Sequence, residues 1–123
     1  MTIQQLYEKI GGNYEQAVRV MKKDKLIDKY VRKLGNSDVG DMLAKAAETM
    51  DGAKLFESAH AMKGVCANLG LDALAGAADE ITEEFRPGNA RRLSDDVVRQ
   101  KLDGLLRRYR DTVQSIAEYE ADN

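Results

Sequence analysis

The chain of 123 residues is short of the groups from which most metal, redox and acid–base sites are built: it has one histidine and one cysteine. That excludes a histidine-rich zinc site, a disulfide framework and any catalytic device needing two histidines, unless a second chain supplies one. Tryptophan is absent, phenylalanine occurs twice and proline once, which is poor material for an all-β sandwich. No apolar run approaches the roughly 18–20 residues that span a bilayer. The start, Met1-Thr2-Ile3-Gln4-Gln5, shows no basic region leading into an apolar stretch, so no signal peptide is expected. Gly-rich phosphate cradles and the P-loop lysine motif are missing as well.

What is present reads as one helical domain over residues 1–123. The composition is 43% hydrophobic and 33% charged, the balance of a soluble helical protein and not of a disordered one. Lysine and arginine number 19 against 21 aspartates and glutamates, a net charge of −2. With an isoelectric point near 5.5, nucleic acid is not expected as the partner; nor is a membrane. A lone cysteine fits the cytoplasm.

Breaks fall at Gly11-Gly12-Asn13, Gly35-Asn36-Ser37, Asp51-Gly52, Gly70 and Arg86-Pro87-Gly88-Asn89. Between them apolar residues recur at helical spacing. Thr2 with Gln5 forms a capping box for a short first helix, with Ile3, Leu6 and Ile10 as its stripe. Asn13 with Gln16 opens a longer segment with Tyr14, Val18, Met21, Ile27, Tyr30, Val31 and Leu34 on its stripe and a break near Lys23-Asp24. Ser37 or Asp38, then Asp51, Asp72 and Ser94 are the expected caps of four further helices. Val39, Met42, Leu43, Ala46 and Met50 form the stripe of the first of these. The expected fold is all-α: an antiparallel, up-down-up-down four-helix bundle with additional short N-terminal helices.

The single histidine lies on the helix from about Gly52 to Leu69. With Leu55 at zero, Cys66, Ala59, Met62 and Leu69 all fall within roughly 40° of it, which makes one buried stripe. His60 falls at roughly 140°, Gly64 at about 180° and Ala67 at about 120°, away from that stripe. A core role for His60 is out of phase. Glycine inside a helix costs about 0.5–1 kcal/mol relative to alanine, and here it clears a side chain one turn from the imidazole. Lys63, near 80°, reaches the same patch. A neutral ring nitrogen is a nucleophile that needs no general base. Phosphoryl transfer depends on positioning and electrostatics, so an exposed imidazole, an ammonium and a cleared surface suit a phosphoryl group delivered by a partner. Cys66 is on the buried stripe and reads as an inert thiol.

The stretch from Ala59 through His60, Lys63, Gly64, Cys66, Asn68 and Gly70 to Leu71 resembles histidine-containing phosphotransfer (HPt) domains. Their pattern is a histidine followed by Lys-Gly at three and four and by glycine at ten. The resemblance covers about residues 14–120. It implies a four-helix bundle whose exposed histidine shuttles a phosphoryl group between receiver-domain aspartates, or from a histidine kinase to a receiver. On that reading the chain is a stand-alone carrier and not an enzyme. His60 accepts the group on Nε2, Lys63 steadies it and Gly64 gives access. No cofactor of its own is implied; Mg2+ is expected on the partner receiver domain, and a hybrid sensor histidine kinase is a further partner. Some relatives carry a glutamine on the next helix; Thr82 and Glu83 occupy the corresponding positions here. The competing reading is a helical adaptor that binds receivers or kinases without being phosphorylated.

Docking requires an apolar patch around the histidine. Phe56, Ala67 and Asn68 are the expected partner-binding residues, with Ile3, Tyr7 or Tyr14 as further contacts from the N-terminal helices. Phe56 is balanced between that role and core packing at the stripe's edge. The basic clusters Lys22-Lys23-Lys25, Arg91-Arg92 and Arg107-Arg108-Arg110 read as solvated faces, and the tail from Glu118 to Asp122 as a fraying end.

Overall fold

A computed structural model describes all 123 residues. It contains seven helices and no strand: α1 (Ile3–Ile10), α2 (Tyr14–Met21), α3 (Asp24–Gly35), α4 (Val39–Thr49), α5 (Gly52–Asn68), α6 (Asp72–Phe85) and α7 (Asp95–Asp122). None is long and apolar enough to cross a membrane.

The local chemistry of the helix starts follows the sequence closely. Thr2 and Gln5 exchange both bonds of a capping box. Asn13, Asp51 and Ser94 each accept the backbone N–H three residues on, from Gln16, Lys54 and Val97. Two expected caps differ. Leu71, not Asp72, is the N-cap of α6, and no side chain caps it; Asp72 sits inside the first turn, where its charge favours the positive end of the helix. Asp38 occupies the cap of α4 without a side-chain bond, and Ser37 accepts the Val39 N–H instead.

Helices α4, α5, α6 and α7 pack pairwise in a ring, α4 on α5, α5 on α6, α6 on α7 and α7 on α4. Leu43, Leu55, Met62, Cys66, Ile81 and Leu102 of these helices are fully buried, as is Ile116, which packs against Gly35 of α3. α1 and α3 lie against α7, and α2 bridges α3 and α5.

The N-terminal segments depart most from helical phase. Ile3 and Tyr7 are buried, and the Tyr7 hydroxyl donates to the Leu69 carbonyl at 2.7 Å. They are core residues and cannot receive a partner, because the face that would dock is spent on α7 and the end of α5. The segment from Tyr14 to Leu34 is two helices, broken where Lys22 adopts a left-handed φ of 72°. In α2 the buried residue is Ala17, while Val18 is exposed. Met42 is also exposed. The C-terminal tail does not fray. Tyr119 is buried and its hydroxyl donates to Asp28 Oδ1 at 2.6 Å, while Glu118 pairs with Lys9.

Gly70 fixes the α5–α6 turn. Its φ is +69°, and a Cβ there would lie 2.2 Å from the Asn13 carbonyl oxygen. The Asn13 N–H donates to the Gly70 carbonyl at 2.7 Å. Only glycine combines that conformation with backbone this close, and the contact seats the start of α2 on the end of α5.

Candidate functional site

α5 buries Leu55, Ser58, Ala59, Met62 and Cys66 on one face. His60, Ala61, Gly64, Val65, Ala67 and Asn68 are exposed on the other. The helical phase of His60 therefore has the direction expected. A Cβ built on Gly64 meets nothing within 4 Å, so no neighbour within the chain requires a glycine there. The one cysteine faces inward, and burial pushes its thiol up to about 12, far from a reactive thiolate.

Phe56, one turn before His60, is half-buried and stacks on the imidazole, with ring centroids 5.6 Å apart and planes 11° from parallel. The stacking limits the orientations open to the ring. The Arg86 guanidinium lies 5.2 Å from the Phe56 centroid, so α6 reaches the histidine through a phenylalanine.

Lys63 is half-buried. Its Nζ sits 2.7 Å from Asp79 Oδ1 on α6. Arg86 in turn donates to both oxygens of Glu83, at 2.8 and 3.1 Å. The Arg86 bond, with Lys63 and Asn89 nearby, holds the Glu83 carboxyl below its usual range, and Glu83 raises Arg86. Two cations and two carboxylates thus lie along the α5–α6 seam near the histidine's helix, and each cation has a carboxylate partner. Thr82 is buried and donates to the Ala78 carbonyl at 2.8 Å; it is committed to its own helix and offers the imidazole nothing.

Beyond Val65 and Asn68 lies an open groove of about 370 Å³, lined also by Met21, Tyr30, Leu34 and Leu69. Asn68 borders it, whereas Ala67 is exposed without lining it. Tyr14 is half-buried, with its hydroxyl bonded to Asp24.

Sequence reasoning missed Asp79, Arg86 and Val65. The first two were within reach. In two antiparallel helices, residues at similar separations from the turn face each other, and Lys63 and Asp79 are nearly equidistant from Gly70, as are Phe56 and Arg86. Val65 falls about 80° from Leu55, on the side opposite Lys63, outside the buried stripe.

An all-α bundle presenting one exposed histidine beside a lysine and an uncrowded glycine has the form of a helical carrier module. The family model of the Hpt domain matches residues 30–117, and the chain belongs to the Hpt domain family. Members of that family are phosphotransfer carriers in phosphorelays, working with receiver domains and kinases. No curated protein and no solved structure matches the chain.

Proposed function

We propose that this chain carries a phosphoryl group on His60, exchanged with the aspartate of a response-regulator receiver domain. The observation that carries the reading is the exposed His60 on α5, one turn from a glycine that the fold itself does not need. The neutral Nε2 attacks the phosphorus of an aspartyl phosphate. An N–P bond forms as the P–O bond breaks, and the receiver's carboxylate leaves with the electron pair. The Nδ1 proton remains on the ring and is then lost to solvent. Transfer onward is the reverse displacement by another carboxylate.

Each neighbour has a part. Phe56 holds the ring by stacking, Lys63 offsets charge on the phosphoryl oxygens, and Gly64 lets the receiver's backbone approach. Ala67 and Asn68 form the adjoining floor. Mg2+ belongs to the receiver in this scheme, as its acidic pocket supplies oxygen ligands. A histidine kinase is a second source of the group.

The test is incubation with a phosphorylated receiver domain. An acid-labile, base-stable adduct is expected on His60, with none on His60→Gln. Receiver binding without uptake would replace the carrier reading with that of an adaptor.

A further inference from the structure

We propose that Asp79 is a positioning residue that competes with the phosphoryl group for Lys63, and so keeps phosphorylated His60 ready to give its group away. The inference rests on the reading of His60 as the phosphoryl acceptor. Lys63 is the cation nearest His60 along α5, and it is held by Asp79 at 2.7 Å. The other cation at the site, Arg86, is held by both oxygens of Glu83. Neither positive charge is free, and the four sum to zero. Lys63 and Asp79 side chains are 35% and 43% exposed, so the pair is weak enough to open.

A phosphoryl group on the imidazole brings about two negative charges at neutral pH and three strong acceptor oxygens. Lys63, at a spacing that shares one helix face with His60, turns to those oxygens only by leaving Asp79. The carboxylate left behind then loses its partner. The phosphorylated state therefore gains less from Lys63 than it would with a neutral residue at position 79. Loss of the group passes through a loose transition state in which charge leaves the phosphoryl oxygens. Lysine contacts weaken there, so whatever strengthens Lys63's hold on the oxygens slows departure, and Asp79 speeds it.

Phosphoramidate, a small donor that needs no protein partner, loads the full chain, and the half-life of the phosphohistidine is followed after the donor is removed. Asp79→Asn is expected to lengthen that half-life about twofold to fivefold, the span of an exposed ion pair. Asp79→Glu should restore the wild-type value, and Lys63→Gln should shorten it. Asp79 is tied to Lys63 and to no atom of His60, so its effect runs through the lysine alone: in the Lys63→Gln background, Asp79→Asn should change nothing. An unchanged or shorter half-life in Asp79→Asn overturns the proposal while leaving His60 as the acceptor. A lengthening that persists without Lys63 also overturns it, since Asp79 would then act on the phosphoryl group by simple repulsion. A chain that takes no phosphoryl group on His60 from phosphoramidate or from any receiver defeats the carrier reading itself, and this proposal with it.

Discussion

Gly64 gives the most direct trial of the link between stability and function at this site. It lies inside α5, where glycine carries its full conformational penalty, and a Cβ there meets nothing within 4 Å. Gly64→Ala therefore gains helix propensity without a clash, about 0.5–1 kcal/mol. For a chain of this length that is a rise in Tm of about 2–5 °C, read by thermal unfolding monitored by circular dichroism. Gly64→Leu adds a branched side chain one turn from His60 on the exposed face. Phosphoryl transfer from a receiver domain should slow on the order of 10- to 100-fold, since small displacements at a reacting centre cost that much. Loading from phosphoramidate should change far less, because that donor brings no surface to collide. Gly104, mid-helix in α7 and equally open, is the control: Gly104→Ala should stabilise by a similar amount and leave transfer alone. A lower Tm in Gly64→Ala would show that the helix does not have this geometry. Equal transfer rates in Gly64→Leu and wild type would refute the access argument.

Two further predictions concern the fold that carries the site. Glu84 is a buried carboxylate that accepts from Arg91 at 2.7 Å and from the Arg92 and Leu93 amides at 3.0 Å, tying the α6–α7 connection to α6. Burial alone would raise its pKa, but the Arg91 bond and the two amides outweigh that and hold it below the usual 4.5. A depressed carboxylate contributes stability that is fully present above pH 4.5 and lost as pH falls through the lower folded value. Glu84→Ala should cost about 1–3 kcal/mol at neutral pH and flatten the acid limb of a urea-denaturation series, which a wild-type-like acid limb would contradict. Gly70→Ala places a methyl group against the Asn13 carbonyl and forces a left-handed φ on a branched Cα, so a loss above about 2 kcal/mol is expected in chemical denaturation; hydrogen exchange should show the start of α2 opening first.

The sequence carried the bundle because its helices are strongly periodic and most of their caps are explicit. Leu55, Ala59, Met62 and Cys66 share a face in the chain as written, and the same arithmetic turned His60 outward. Phase failed where tertiary packing decides which face is covered. α2 has only eight residues, too few for phase to settle its buried face, although the break expected near Lys23-Asp24 falls where α2 gives way to α3. Tyr7 is as amphipathic as any docking aromatic until Leu69 is seen to accept its hydroxyl. The tail from Glu118 is acidic enough to read as frayed, yet Lys9 and Asp28 come from distant segments to hold it. Conversely, the pairing of Lys63 with Asp79 follows from counting outward from Gly70 once α5 and α6 are known to be antiparallel neighbours.

The family match begins at Tyr30, so α1, α2 and the first half of α3 lie ahead of it. They are not peripheral to the site. Met21 of α2 lines the groove with Val65 and Asn68, and the backbone contact between Asn13 and Gly70 sets where α2 sits. Gly70 belongs to the motif and Asn13 does not, so a residue of the shared pattern anchors a wall that the pattern leaves unspecified. Val18 and Val20 on α2, with Leu26 on α3, are further exposed apolar side chains of these segments. A receiver seated over His60 would therefore meet two kinds of surface. The α5–α6 hairpin supplies the imidazole, its stacking ring and its charges. Met21, ahead of Tyr30, supplies apolar lining to the groove beside Val65 and Asn68, and on the proposed reading contacts made there, away from the reacting atoms, discriminate between partners. On the proposed reading, chemistry and partner choice are divided between two parts of one small chain. Substitutions at Met21 and at Lys63 should therefore affect docking and phosphoryl stability separately.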